Sequence, residues 1–150
     1  MRVAWRVAVL LSLLNGLVPA GGQTAATLKA RADAAQGGER AILSLEYAHQ
    51  QLEDANALYT QGDVDKAEAA IHEVVDYSRK AADAASTSGK RLKQTEIGLR
   101  KLEHRMRDIG QSLNIDDRLP VEKGVQELEQ IRADLLARMF GEKAEPKDKS

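Results

Sequence analysis

The sequence predicts an all-α fold: two antiparallel helical hairpins that share one long central helix. Three observations carry this expectation. Hydrophobic residues make up 43% of the chain but aromatic residues only 3%, so the interior must be Ala, Leu, Ile and Val, the composition of closely packed helices. Apolar and small residues recur at alternating steps of three and four along most of the chain. Gly or Pro stands where that period is interrupted. A core of this kind supports one domain of about 100 ordered residues.

The first residues, Met1-Arg2-Val3-Ala4-Trp5-Arg6, form a short basic start, and an apolar run from Val7 to Leu14 and the sequence Asn15-Gly16-Leu17-Val18-Pro19-Ala20 follow. A charged start, an apolar stretch too short to span a bilayer and a small residue at the cut site read as a signal peptide over residues 1–20, with no transmembrane anchor after cleavage. Residues 21–38 are Ala-rich, weakly helical and interrupted by Gly37-Gly38, which predicts a mobile leader.

The helical domain is expected over residues 39–141. Ala41, Leu45, Ala48, Leu52, Ala55 and Tyr59 form one face of an amphipathic helix, flanked by Ile42 and Leu58 and ended by Gly62. Gly62-Asp63 is a tight turn in which Asp63 is placed to cap the next helix. The two helices it joins must run antiparallel.

From there one seam runs through Val64, Ala67, Ile71, Val74, Ser78, Ala81, Ala85, Ser88, Leu92, Thr95, Leu99, Leu102, Met106, Ile109 and Leu113 without meeting a charged residue. Its unbroken phase predicts a single helix over about residues 63–113, on the order of 75 Å long. Residues 63–89 hold six acidic and three basic residues and residues 90–107 seven basic and two acidic ones, the polarity that a helix dipole prefers. The alternative is a four-helix bundle with a break near Gly89, since Gly in a helix interior costs about 1 kcal/mol.

Residues 114–119 read as a loop, because Leu119 precedes Pro120 and Pro120 suits the first position of a helix. Val121, Val125, Leu128, Ile131, Leu135 and Met139 make the stripe of the last helix, which Gly141 stops. Residues 142–150 are charged, contain Pro and read as a disordered tail.

The stretch Ala55, Leu58, Tyr59, Gly62, Asp63, Ala67 and Ile71 resembles the middle of a tetratricopeptide repeat, in a single copy where such repeats stack in threes or more. The segments Gly62-Asp63-Val64-Asp65-Lys66-Ala67, Lys93-Gln94-Thr95-Glu96-Ile97 and Leu135-Leu136-Ala137-Arg138-Met139-Phe140-Gly141 resemble a group of uncharacterised exported helical proteins of soil bacteria such as acidobacteria. That resemblance covers about residues 40–141. It implies a bacterial envelope setting, periplasmic or secreted, and no catalytic role.

Removing residues 1–20 takes Arg2 and Arg6 from the 22 basic residues and none from the 23 acidic ones, leaving a formal charge of −3. This balance argues against a dedicated nucleic-acid binder. Cys is absent, so lipobox, disulfide, thiol nucleophile and zinc–thiolate chemistry are excluded. His49 and His72 fall at similar height in the first hairpin, yet neither they nor His104 has a His partner three or four residues away, so solvated histidines are expected rather than a metal site. Ser86-Thr87-Ser88 has no neighbouring His base and Gly37-Gly38 lacks the strand and Lys of a phosphate loop. No enzymatic activity, cofactor or metal is expected.

Two surfaces remain. Lys90, Arg91, Lys93, Arg100, Lys101, Arg105 and Arg107 form a local basic excess that suits an acidic partner, or else a solvated face paired with Asp116, Asp117, Glu122, Glu127, Glu129 and Asp134 of the last helix. It has no aromatic residue for base stacking. Ser78, Ala81, Ala85 and Ser88 form a small-residue seam between the hairpins, suited to an antiparallel homodimer, or to burial within the chain if the helix breaks there. The expected function is that of a non-catalytic, exported interaction or scaffold protein that self-associates. The alternative is a small adaptor or chaperone-like module that binds a peptide or an anion, which an exposed apolar groove between Leu92 and Met139 would favour.

Overall fold

The computed structural model describes residues 24–141, and among these every regular element is helical: α1 (Ala25–Ala34), α2 (Gly37–Gln61), α3 (Val64–Ser88), α4 (Leu92–Ser112) and α5 (Ile115–Gly141). The all-α fold of helical hairpins holds. The expected signal segment and the C-terminal tail lie outside the described residues.

The α2–α3 turn is built as the sequence predicts. Gly62 takes the left-handed conformation (φ 79°), its N–H donates to the Tyr59 carbonyl, and the Asp63 N–H donates to the Leu58 carbonyl, a Schellman closure. Asp63 occupies the N-cap position of α3, but its carboxylate takes Lys66 Nζ at 2.6 Å instead of a backbone N–H. A flexible cation within reach competes well with an exposed backbone donor.

The single central helix is not formed. α3 ends at Ser88, and both Gly89 (φ 66°) and Arg91 (φ 64°) are left-handed. Ser88 Oγ donates to the Ala84 carbonyl at 2.7 Å and accepts from the Lys90 N–H at 3.3 Å. The side chain therefore satisfies groups that the broken ladder leaves free. The seam keeps its phase across the break because each helix presents the same kind of face to one shared core, and periodicity reports the buried face rather than the continuity of the axis.

The break lets α4 reverse, and the second hairpin stacks on the first with like helices side by side. Gly98 of α4 lies against Leu45 of α2, and Arg105 binds Glu53, so α4 runs parallel to α2. Gly124 of α5 meets Ile71 of α3, and Arg138 pairs with Asp83, so α5 runs parallel to α3. The layers approach closely at these glycines: a Cβ on Gly98 would stand 2.6 Å from Leu45 Cδ1, and one on Gly124 3.1 Å from Ile71 Cγ2. Leu52, Val74, Leu99, Met106, Ile109, Val121 and Leu128 are fully buried between them.

Two boundaries also move. α5 begins at Ile115, five residues before Pro120, which therefore stands inside the helix. The early start is supported by Asp116 and Asp117 in the first turn, by the Asp117 N–H donating to the Asn114 carbonyl, and by Arg118 Nε donating to the Leu113 carbonyl at 2.9 Å. Together these outweigh the one backbone bond Pro120 cannot make. Residues 25–34 of the expected mobile leader are α1, which buries Leu28 and Ala32 against the first hairpin. No helix among the described residues is long and apolar enough to cross a membrane.

Candidate functional site: the outer faces of the two hairpins

The α2–α3 hairpin has α4 and α5 on one side and α1 on the other. Tyr47 of α2 and Tyr77 of α3 lie level in the hairpin and meet edge to face, their ring centroids 4.4 Å apart. α1 crosses this pair. Lys29 Nζ sits 4.7 Å from the Tyr77 ring centre and 5.3 Å from that of Tyr47, and donates to Glu73 Oε2 at 2.9 Å. The Tyr47 hydroxyl donates to the same oxygen at 2.9 Å. One turn on, the Tyr77 hydroxyl lies 2.8 and 2.9 Å from the two Asp33 carboxylate oxygens. Lys80 reaches Asp33 at 3.2 Å while lying over the Tyr77 ring at 3.9 Å.

The electrostatics follow from those contacts. The bond from Lys29 holds the Glu73 carboxyl below its usual range against the opposing effect of burial, with help from Tyr47. The same pair raises Lys29, whose charge is further favoured by Tyr77. Burial, together with the bond to Glu73, pushes the Tyr47 hydroxyl up to about 12. Burial acts to raise the Asp33 carboxyl, but the bonds from Tyr77 and Lys80 outweigh it and hold it low. Lys29, Asp33, Tyr47, Glu73 and Lys80 are each held in the charge state that binds a neighbour, which suits docking.

The seam between α4 and α5 has the opposite chemistry. Glu103, buried to 4% exposure, receives Arg107 at 2.8 Å and Arg132 at 2.6 Å. Arg107 also reaches Glu129 at 2.7 Å, and Arg132 reaches Glu96 at 3.2 Å. Burial opposes the Glu103 charge, but the two guanidinium groups win and lower its carboxyl. This ladder closes the outer side of the second hairpin with charge where the first presents tyrosine. Beyond it an open groove of about 400 Å³ lies between the helices, lined by Gly110, Arg118, Val121, Val125 and Gln126 among others.

The predicted basic surface is divided by the fold. Arg105 binds Glu53 through two bonds of 2.7 and 2.8 Å. Arg107 belongs to the ladder, Arg100 lies 3.9 Å from Glu96, and Arg91 bonds Gln94. Of the expected acidic partners on α5, Glu129 takes Arg107, whereas Glu127 pairs with Arg79 of α3. Lys90, Lys93 and Lys101 are exposed. Lys90 and Arg91 pack beside Gly38 in the first turn of α2.

The predicted self-association seam lies inside the chain. Ser78, Ala81 and Ala85 have no exposed surface and Ser88 is half-buried, because the break at Gly89 folds α4 and α5 back over them. That stripe is therefore unavailable to a second copy. Leu92 and Met139 are half-buried against Val75, Ala82, Leu99, Ile131 and Leu135, so no open apolar groove separates them. His49, His72 and His104 are all exposed, and no group of His, Asp or Glu among the described residues has metal-binding geometry. Ile115, Leu119 and Phe140 project from the two ends of α5 at 80, 56 and 63% exposure.

The tyrosine site was missed by reasoning on the sequence. The signal was present: by the same level rule that sets His49 beside His72, Tyr47 faces Tyr77, and they are two of only three tyrosines in the chain. No protein-family model, curated protein or solved structure matches this chain.

Proposed function

We propose that this chain is a non-catalytic, exported helical interaction protein of a bacterial envelope, which works by docking helices against its hairpin faces and which self-associates. The observation that carries the reading is α1 itself. A ten-residue helix is too short to persist alone in water, yet it is held on the α2–α3 face by two buried apolar side chains and a tyrosine-centred set of charges. A face of this kind recognises an amphipathic helix by a few apolar anchors and matched charges. Export rests on the signal-like residues 1–20.

The test is the solution mass of purified residues 21–150 by light scattering over a range of concentrations, at low and at high salt. A dimer that weakens with salt is the expected result, since the polar contacts of the face are partly exposed and screened by ions. A monomer under every condition would overturn self-association.

A second reading, an adaptor for an anionic partner, is favoured by one further feature. α2 and α4 run parallel and neither N-terminus carries a side-chain cap, while Lys90 and Arg91 stand at their junction. Binding of polyphosphate that is lost in a Lys90→Ala/Lys93→Ala/Lys101→Ala variant would support it. Equal binding by the variant would remove it.

A further inference from the structure

The contacts that hold α1 define which face self-association would use. α1 is joined to α2 by Ala35 and Gln36 alone, and Gly37 turns the chain there with φ +56°. Only Leu28 and Ala32 of α1 are buried, and the charged groups that secure it are substantially exposed, Lys29 and Glu73 at 41 and 37% and Lys80 and Asp33 at 38 and 43%. The face beneath is apolar and aromatic, with Tyr47, Tyr77 and Ala48 buried by the docked segment and the hairpin. A segment held by few apolar anchors, joined through a short turn with a left-handed glycine, opens at lower free energy than the rest of the bundle.

We propose that α1 is exchanged between two copies of this chain, each α1 occupying the α2–α3 face of the other, with residues 35–38 as the hinge; the proposal rests on the self-association reading above. The geometry is consistent with two-fold symmetry. α1 lies antiparallel to α2, as shown by Lys29 pairing with Glu73 and Asp33 with Lys80 on the parallel α3. When Ala35, Gln36 and Gly37 leave their extended and left-handed conformations for helical angles, α1 continues the axis of its own α2 and extends about 18 Å beyond it. Two such extended helices placed antiparallel lay each α1 on the partner's α2 in the orientation it has within one chain. Every contact of the closed form is then remade between copies, and the interface is isologous.

Charge reversal separates exchange from other modes of association. Lys29→Glu faces its own Glu73, and Glu73→Lys faces its own Lys29, so each variant alone carries a repulsive pair in both closed and exchanged homodimeric forms. Mixed together, only the exchanged heterodimer restores both attractive pairs. With one variant isotopically labelled so that the dimers differ in mass, native mass spectrometry of the equal mixture is expected to show the ratio of heterodimer to total homodimer raised about tenfold or more above its one-to-one statistical value, and the enrichment should fade with salt. The double variant Lys29→Glu/Glu73→Lys should behave as the unmodified chain, which controls for misfolding. Dimers that form without heterodimer preference would overturn exchange while leaving self-association by another surface intact. Monomers in the unmodified chain and in the mixture would overturn both.

Discussion

Three hydroxyls in the centre of the bundle give a prediction of sign as well as size. Ser44, Ser78 and Thr95 have no exposed surface, and none of their hydroxyl oxygens has a hydrogen-bond partner. An unpaired buried hydroxyl costs about 1–3 kcal/mol. Replacing Thr95 with Val keeps the branched shape and nearly the same helix propensity while removing that group, so Thr95→Val should stabilise the fold by about 1–2 kcal/mol. Ser78→Ala should gain a similar amount, with a few tenths more from helix propensity. Ser88 provides the opposing case on the same seam. Its hydroxyl donates to the Ala84 carbonyl and accepts from the Lys90 N–H, so Ser88→Ala should lose about 0.5–1.5 kcal/mol. Urea unfolding followed by circular dichroism reads the difference as midpoint shifts at constant slope. If Thr95→Val and Ser78→Ala both destabilised by about 1 kcal/mol, their hydroxyls would have to be bonding backbone carbonyls, and the reasoning from burial would fail.

Three further expectations concern the turns and the charge networks. Gly89→Ala should destabilise by about 1–2 kcal/mol through backbone strain alone, since no atom stands within 4 Å of the added Cβ; a gain in thermal midpoint would restore the continuous-helix reading. Glu103→Ala should cost about 1–2 kcal/mol, less than a fully buried pair because Arg107 and Arg132 remain partly solvated, whereas Glu129→Ala, at 49% side-chain exposure, should change the urea midpoint little. The docking of α1 should depend on pH at both extremes. Asp33 and Glu73 are lowered, so their contribution is complete above the ordinary carboxylate range and is lost as pH falls through their folded values. Lys29 is raised and Tyr47 pushed up to about 12, so theirs is complete below about 10 and lost as pH rises beyond it. The near-ultraviolet tyrosine band of the Tyr47–Tyr77 pair should be flat between those limits and decline outside them. A monotonic change across neutral pH would contradict this.

The buried faces were legible in the sequence and the path of the chain less so. Each seam residue from Ala67 to Ala85 and from Thr95 to Ile109 is buried, yet the helix that was to carry them all is two helices. A hydrophobic period is preserved whenever both segments face the same core, so phase alone does not decide between a rod and a reversal. Local chemistry decides it: Ser88 recaptures the freed backbone groups and Gly89 accepts the left-handed turn. The α5 boundary shows the same limit in reverse. Pro120 signals a helix start, but two acidic residues and Arg118 upstream stabilise a longer first turn than one proline disfavours. Composition reads α1 as loose because residues 21–38 are Ala-rich, weakly helical and interrupted by Gly37-Gly38, and in the fold only Leu28 and Ala32 of α1 are buried. Its order comes from Lys29 and Asp33 finding partners 44 residues away, which no local window contains.

The two hairpins differ most on the sides that no other hairpin covers, and that difference bears on function. The outer side of α4–α5 is closed by Glu96, Arg132, Glu103, Arg107 and Glu129, an arrangement in which each charge already has its partner within the chain. A docking helix would have to break those pairs before making its own, at an energetic cost that matched surface charges rarely repay. The outer side of α2–α3 carries rings instead, covered by α1 with Lys29 and Lys80 over them, and the α1 of a second copy would restore each contact that the chain's own α1 gives up. Exchange of α1 between copies is therefore favoured on the tyrosine face, and docking of a helix is disfavoured on the ladder. An assembly built through the tyrosine face would close as a pair, because the ladder offers no equivalent face through which to extend it.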